Sequence, residues 1–152
     1  MIAVADGVGG WNEHGVDPGV YSRKLMFNLE NLIKLEPKKY LQNPKELLIA
    51  AARDNKETGS STFVVGCIDP ENGWFRAANL GDSGYFILRI DGQKKYGKFF
   101  RSEEQQHSFN FPYQVGTNGD SPSKAELKEH KVLPGDLIVM ATDGLFDNLF
   151  DH

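Results

Sequence analysis

The sequence predicts a single α+β domain in which a first strand and two helices are followed by a group of antiparallel strands. Three observations predict this fold class. Apolar residues recur at helical spacing between residues 18 and 52. Later in the chain, they fall instead in short β-branched and aromatic runs separated by turn residues. The length of 152 residues corresponds to about one domain.

The first predicted elements are one strand and two helices. Residues 2–5 are an apolar run typical of a buried strand, which ends at the glycine-rich Asp6-Gly7-Val8-Gly9-Gly10. Asp17-Pro18 combines an N-cap with proline at the first helical position, so residues 18–36 are predicted to form an amphipathic helix. Asn43-Pro44 repeats this signal before a second helix.

Several antiparallel strands are predicted in the second part of the chain. Runs at residues 61–68, 74–80 and 84–90 are rich in β-branched and aromatic side chains. The turn sequences between them predict an antiparallel meander. Asp91-Gly92 indicates a further hairpin, followed by a weak strand at residues 95–100.

The last part of the chain combines a long polar segment with one very apolar strand. Residues 101–126 are predicted to be an irregular loop, and loops of that length are usually functional or mobile. Pro134-Gly135-Asp136 indicates a turn, and residues 137–141 form the most apolar strand. That strand ends at Thr142-Asp143-Gly144, and residues 145–150 resemble the start of a helix.

Composition excludes several classes of function. With 17 basic and 21 acidic residues, the formal net charge is −4, which gives no global attraction to nucleic acid or to an anionic membrane. The single cysteine, Cys67, excludes an internal disulfide and zinc sites built on cysteine pairs, and we expect it to be a buried thiol. No apolar run approaches the ~20 residues of a membrane helix, so no membrane insertion is expected.

The strongest functional candidates are Asp6-Gly7 and Asp143-Gly144, each of which closes an apolar strand. Two carboxylates that face each other at strand ends would repel. A hard divalent cation such as Mg²⁺ or Mn²⁺ would relieve that repulsion. Each glycine is expected to let the chain turn sharply and expose its carbonyl. The alternative is that Asp-Gly only marks a turn, which is our interpretation of Asp91-Gly92.

Four motifs resemble those of type 2C protein phosphatases, which are metal-dependent serine/threonine phosphatases. The first, Asp6-Gly7-Val8-Gly9-Gly10-Trp11, resembles the family's Asp-Gly-x-Gly-Gly. The others follow in the family's order and at compatible spacing: Gly59-Ser60-Ser61-Thr62, Ala78-Asn79-Leu80-Gly81-Asp82-Ser83 and Ala141-Thr142-Asp143-Gly144-Leu145-Phe146-Asp147. The first motif and Ser102-Glu103-Glu104-Gln105-Gln106-His107 further resemble the branch that includes mitochondrial and plastid phosphatases.

This resemblance implies an antiparallel β-sandwich flanked by helices, with two Mg²⁺ or Mn²⁺ ions at one end. By similarity, Asp6 would bridge both ions, the Gly7 carbonyl would bind one and Asp143 the other, which makes Asp6 and Asp143 the catalytic residues. Asp82 and Asp147, together with Asp143, would form a weaker third metal site. A water that bridges the ions would attack the phosphorus of phosphoserine or phosphothreonine in a protein substrate.

Two positions depart from the family pattern. Val8 stands where many members have a histidine that acts as general acid, so a metal-bound water or another residue would protonate the leaving group. Gly84 stands where many members have an arginine. We expect His14 to be a solvated loop residue, and His107 and His130 to face solvent.

The resemblance also implies that residues 1–152 are one partial domain. Family members have an upstream phosphate-binding arginine and a downstream metal-binding aspartate, whereas this chain stops at Asp151-His152. We therefore expect a fragment with exposed sheet edges. Its full-length form would be an intracellular, soluble monomer, with the mitochondrion as one location implied by the branch. Specificity is expected in residues 101–126 and in the parts that lie outside this chain.

Two other interpretations of the sequence stay open. A catalytically impaired phosphatase fold could act as a binding or regulatory module. A different divalent-metal hydrolase could also use strand-end aspartates, although the four ordered motifs argue against it. A nucleic-acid partner is not expected.

Overall fold

The strands form two antiparallel sheets and a separate hairpin. The computed structural model describes residues 1–148. The strands in that range are, in chain order, β1 Ile2–Gly7, β2 Ser60–Asp69, β3 Trp74–Leu80, β4 Gly84–Ile90, β5 Tyr96–Arg101, β6 Gln106–Ser108, β7 Phe111–Pro112, β8 Val115–Gly116, β9 Glu126–Lys131 and β10 Leu137–Ala141. The first sheet has the order β1-β2-β3-β9, with β8 paired to β2, and the second has the order β10-β4-β5. The expected antiparallel β-sandwich is confirmed.

Helices cover the outer face of the first sheet. The α-helices of the described residues are α1 Pro18–Leu35, α2 Pro37–Tyr40, α3 Pro44–Arg53 and α4 Asp143–Phe146. Asp17 caps α1 as predicted, because its side chain accepts a hydrogen bond of 2.8 Å from the backbone N–H of Gly19. Asn43 precedes α3, but its side-chain amide donates to the carbonyl of Lys39 instead of capping the helix. None of the described helices is long and apolar enough to cross a membrane.

Two buried apolar clusters hold the three layers together. The first lies between the helices and the first sheet and includes Leu25, Leu47 and Val65. The second lies between the sheets and includes Val64 and Phe75. Neighbouring residues of β2 thus point into different clusters, which explains why this strand is apolar along its length. Full burial of each such side chain contributes about 2 kcal/mol to folding.

Cys67 lies on the same strand and is buried, as predicted. Burial raises the pKa of its thiol to about 11, so the thiolate is scarce at neutral pH. This cysteine therefore has the properties of a packing residue in the core.

The predicted loop at residues 101–126 is more ordered than expected. It contains β6, β7 and β8, and a short 3₁₀ helix, Pro122–Lys124. The strand β9 that follows was not predicted, because its sequence Glu-Leu-Lys-Glu-His-Lys has only one apolar residue. Strand β9 forms because it pairs with β3, and this tertiary pairing overrides the weak β-propensity of its sequence. The predicted helix at residues 145–150 begins earlier, at Asp143, and residues 149–150 lie outside the described range.

The prediction that His130 faces solvent is wrong. His130 is paired with Phe75 across β9 and β3, so both side chains lie on the same, inward face of the sheet. Its Nε2 is hydrogen-bonded to the Tyr85 hydroxyl at 2.8 Å, and its ring centroid lies 4.1 Å from that of Phe100. Burial lowers the pKa of His130.

Candidate active site

The ends of several strands from both sheets meet at one end of the sandwich. Adjacent antiparallel strands bring the end of one beside the start of the next. In the pairing of β1 with β2, Asp6 lies opposite Thr62. In the pairing of β10 with β4, Ala141 lies opposite Gly84. Because Asp82 comes just before β4 and Asp143 just after β10, this register brings the two aspartates to the same end of the molecule.

A cavity of ≈ 440 Å³ lies at this end of the sandwich. Its lining consists of Asp6, Gly7, Val8, Gly9, Gly10, Thr62, Asp82, Asn110, Pro112 and Asp143. Four of the five predicted metal-site residues are therefore brought together. The fifth, Asp147, is exposed at the C-cap of α4 and is not among the residues that line the cavity.

The carboxylates of the cavity perturb one another. Burial raises the pKa of Asp6, and a hydrogen bond with Asp143 and the charge of Asp143 raise it further. Burial also raises the pKa of Asp82 to about 6, with smaller contributions from the charges of Asp143, Glu104 and Asp6. Within residues 1–148, none of the three cavity aspartates forms an ion pair. This excess of negative charge favours a bound cation.

The donor atoms of the cavity fit a hard divalent cation. Asp6, Asp82 and Asp143 offer carboxylate oxygens and Gly7 offers a carbonyl, which are the ligands that Mg²⁺ and Mn²⁺ prefer. Among the described residues, no three His, Cys, Asp or Glu side chains are close enough together to form a metal cage. A small set of oxygen ligands fits ions that keep several of their own waters, as Mg²⁺ does.

Gly7 is required by a close contact and not by a sharp turn, which corrects the expectation for the first Asp-Gly step. It is the last residue of β1, and a Cβ atom there would be 2.2 Å from the carbonyl oxygen of Pro18. Glycine therefore lets α1 begin directly against the end of β1. At Gly144, a Cβ atom would meet nothing closer than Thr142 Oγ1 at 3.3 Å, so that glycine has no comparable steric role.

The other two motifs support the walls of the cavity. Ser61 Oγ donates a hydrogen bond of 2.8 Å to the carbonyl of Asp6, which fixes the backbone at that carboxylate. The hydroxyls of Thr62 and Ser83 are hydrogen-bonded at 2.6 Å and join the second motif to the third. Trp11 Nε1 donates to Ser60 Oγ at 2.6 Å, which ties the first motif to the second.

Gly81 of the third motif allows the turn that carries Asp82. Its φ of +110° favours glycine, and a Cβ atom there would lie 2.6 Å from the carbonyl oxygen of Tyr113. The turn that carries Asp82 can thus pack closely against the segment that follows β7.

Two cavity residues, Asn110 and Pro112, were not singled out in the sequence. They belong to the β6–β7 hairpin, in the segment predicted to be a loop. The length and polarity of that segment were the only signal for a functional role. Asp91, by contrast, is confirmed as a turn residue, because its carboxylate accepts hydrogen bonds from the backbone N–H groups of Gln93 and Lys95.

Val8, which stands where many family members have a histidine, lies on the cavity wall. Its backbone N–H donates to the carbonyl of Ser60 at 3.0 Å, so the position is tied to β2 by the main chain. No histidine of the described residues lines the cavity, and His14 is exposed, as expected.

Comparisons with known proteins agree with this geometry. The family model described as Stage II sporulation protein E (SpoIIE) matches residues 1–152. "Probable protein phosphatase 2C 55" of Arabidopsis thaliana is 47% identical over 153 residues, covering 99% of this chain and 31% of the relative. "Protein phosphatase PTC7 homolog" of Xenopus laevis is 40% identical over 166 residues, covering 100% of this chain and 54% of the relative.

Two solved structures show the same fold. The photosystem II phosphatase PBCP has a TM-score of 0.89 and 32% identity, with 98% of this chain and 56% of that chain covered. The catalytic domain of serine threonine protein phosphatase PstP, solved in complex with two manganese ions, has a TM-score of 0.68 and 17% identity, with 98% and 69% covered. The four motifs, the sandwich and these relatives agree, and the chain belongs to the type 2C protein phosphatase family.

Proposed function

We propose that this chain carries the metal centre of a serine/threonine protein phosphatase that hydrolyses phosphoserine and phosphothreonine with Mg²⁺ or Mn²⁺. The observation that carries the proposal is the meeting of Asp6, Asp82 and Asp143, from three separate motifs, in one cavity. The names of the relatives and the two manganese ions in the PstP structure support it. The chain spans 31% and 54% of the two relatives described above, so the activity of the whole protein is part of the proposal.

The side chains of the cavity would have distinct roles. When bound, two divalent ions would lower the pKa of a water and offset the charge of the departing alkoxide. Asp6 would hold both ions, with its backbone fixed by Ser61, and the Gly7 carbonyl and Asp143 would each hold one. Asp82 would belong to the weaker third site, and Asp147 would be an outlying member because it does not line the cavity.

Asn110, which lines the same cavity as these carboxylates, would orient the substrate. The Asn110 amide can donate a hydrogen bond to a phosphate oxygen in the cavity. Val8 has no proton to give, so the leaving group would take its proton from water in the cavity or from another residue.

The experiment that tests this proposal measures Mn²⁺-dependent hydrolysis of a phosphothreonine peptide by the full-length protein and its variants. Asp6→Asn and Asp143→Asn should each lower kcat/KM by more than about 100-fold, because the loss even of groups that only support metal ligands costs about 10–100-fold. Asp91→Asn is the matched control, since it changes an Asp-Gly step outside the cavity and keeps an Oδ1 acceptor for the turn. Full activity of either cavity variant would contradict the assignment.

The same assay, carried out on the chain and on the full-length protein, separates the phosphatase from the alternative of a binding or regulatory module. The phosphatase proposal predicts metal-dependent turnover by the full-length protein. The module predicts that the phosphopeptide binds and is released unchanged. A monomeric state and a mitochondrial location stay predictions from the family resemblance.

A further inference from the structure

The turn of the β6–β7 hairpin carries an exposed phenylalanine, Phe109, next in the chain to Asn110 of the cavity wall. The side chain of Phe109 is 97% exposed, whereas its neighbours Asn110 and Pro112 line the cavity with Asp6 and Asp143. Single exposed apolar side chains are common and need no explanation by themselves. A fully exposed aromatic residue directly beside a lining residue of a candidate substrate site in the chain is different, because rigid aromatic residues are frequent anchors in recognition surfaces.

Phe109 lies in the tight turn of the hairpin. Ser108 is paired with Phe111, which leaves Phe109 and Asn110 as a two-residue connection. Asn110 has a φ of +54°, a conformation in which asparagine is strongly enriched. The residues of this tip have no charged side chain, so the tip offers a partner an apolar surface and one amide.

The base of the hairpin is anchored to the body of the molecule. The His107 ring centroid lies 5.0 Å from that of Phe111 and 4.4 Å from that of Tyr113, and His107 Nε2 is 2.9 Å from Asp120 Oδ2. The backbone N–H of Gln105 donates to the carbonyl of Gly81, the residue before Asp82. Because the hairpin is ordered before a substrate arrives, binding there would cost little conformational entropy.

We propose that Phe109 is a specificity-determining contact, which binds an apolar side chain within two residues of the phosphorylated serine or threonine of a protein substrate. This inference rests on the proposed phosphatase function of the cavity. Consecutive Cα atoms are about 3.8 Å apart in this protein and in its substrate alike. Phe109 is one residue from Asn110 at the cavity wall, so it can reach a side chain one or two positions from the phosphorylated residue.

The test measures binding of fluorescent phosphothreonine peptides to the chain by anisotropy, in the presence of Mn²⁺. One peptide has leucine on both sides of the phosphothreonine, and a second has serine at those positions. The unchanged protein should bind the leucine peptide about tenfold more tightly, which is the expected size of one partly buried apolar contact. Phe109→Ser should reduce this preference to within about twofold.

Phe27→Ser is the matched control, because Phe27 is an exposed phenylalanine on α1 that does not line the cavity. It should retain the full preference for the leucine peptide. The unphosphorylated leucine peptide should bind at least about tenfold more weakly, since the phosphate provides the main contact.

The outcomes separate this inference from the proposed function. Equal binding of the two phosphopeptides, or a preference that survives Phe109→Ser, overturns the Phe109 contact. If the unphosphorylated leucine peptide binds as tightly as the phosphorylated one, the Phe109 contact is also overturned, because the binding would then be non-specific adhesion. Mn²⁺-dependent hydrolysis of p-nitrophenyl phosphate by the full-length protein reports on the phosphatase function alone. Hydrolysis without a leucine preference rejects the contact only, and a preference that depends on Phe109 without hydrolysis rejects the catalytic function only.

Discussion

At the scale of single residues, the cavity brings together carboxylates that are far apart in the chain. Asp6, Asp82 and Asp143 come from different strand ends and share one cavity, where burial and neighbouring negative charge raise the pKa values of Asp6 and Asp82. A group placed for metal binding is then unfavourable for the metal-free fold, because its charge is only partly solvated. Removing one of these charges should therefore raise the stability of the metal-free protein and weaken its binding of metal.

We predict that Asp82→Asn stabilises the metal-free protein and weakens its response to metal. In EDTA at neutral pH, the free energy of unfolding should rise by about 1 kcal/mol, because a buried like charge is removed. The increase in Tm on addition of Mn²⁺ should be smaller than in the unchanged protein, since weaker binding gives less stabilisation. Thermal unfolding with and without Mn²⁺ measures both effects. Asp54→Asn, at an exposed position, is the control, and a loss of metal-free stability in Asp82→Asn would contradict the prediction.

The ion pair of Arg89 and Asp136 predicts a defined pH dependence. Arg89 Nε and Nη2 donate to Asp136 Oδ1 and Oδ2 at 2.9 and 2.8 Å, and the hydrogen bonds from Arg89 lower the pKa of Asp136. A carboxyl whose pKa is lowered by folding contributes stability above its unfolded pKa of about 3.9, and this contribution is lost as the pH falls through the lower, folded pKa.

Asp136→Asn should therefore lower the Tm at pH 7 by about 5 °C, through loss of a charged two-point hydrogen bond. The difference from the unchanged protein should shrink as the pH falls below about 4, because the carboxyl of the unfolded chain then takes up a proton while the folded, ion-paired carboxyl still resists protonation. Thermal unfolding between about pH 3 and pH 7 checks both statements. Glu30→Gln, which removes an exposed pair with Lys34, should change the Tm little at any pH. A difference that stays constant across this pH range would contradict the assignment.

At the scale of secondary-structure elements, contacts between elements decide the roles of several residues. Strand β9 forms from a charged sequence because β3 provides its hydrogen-bond partners. The end of β1 lies directly against the start of α1, and Gly7 makes that approach geometrically allowed. The aspartate before this glycine is thus positioned by a strand and a helix together.

We predict that Gly7→Ala separates β1 from α1. The new Cβ would lie 2.2 Å from the Pro18 carbonyl oxygen, so backbone must shift. Overpacking of this kind costs about 1–3 kcal/mol of folding free energy. Mn²⁺ affinity should fall as well, since Asp6 moves with β1. Gly97→Ala, in strand β5, is the control, because a Cβ atom at Gly97 would meet nothing within 4 Å. Denaturant unfolding and Mn²⁺ titration measure the two effects, and a Gly7→Ala protein with unchanged stability would rule out the close-contact argument.

At the scale of the whole molecule, the inter-sheet core contains a polar link. The Tyr85 hydroxyl and His130 Nε2 are hydrogen-bonded between the second and first sheets, and the rings of Phe75 and Phe100 surround them. Tyr85 is buried and His130 is half-buried, so the hydrogen bond stabilises the packing only while both partners are present, because a shielded polar atom without a partner is costly.

Tyr85→Phe should therefore lower the free energy of unfolding by about 1–2 kcal/mol, because the His130 nitrogen loses its partner while the ring packing stays. The denaturant m-value should not change, since the same surface is buried. Tyr96→Phe is the matched control, because the Tyr96 hydroxyl is exposed and donates a long hydrogen bond of 3.3 Å to the Gly135 carbonyl. Equal losses in the two variants would mean that the inter-sheet hydrogen bond is not stabilising.

Local sequence patterns predicted most of the elements and the family. The helix start at Asp17-Pro18 and the apolar runs that became β3, β4 and β10 follow from short-range preferences, which operate within a few residues. The four ordered motifs predicted the type 2C family, which the relatives confirm. These properties depend on neighbours in the chain and can be recognised in the sequence alone.

Only the tertiary structure decided how distant segments meet. The register of β1 with β2 and of β10 with β4 places Asp82 and Asp143 beside Asp6 and leaves Asp147 outside the cavity. Long-range packing also explains why residue 7 must be glycine, since α1 begins directly against it. The same kind of contact forms β9 and brings Asn110 to the cavity wall. The physical reason is that strand pairing and close packing join residues tens of positions apart, and their free energy comes from contacts that no local segment contains.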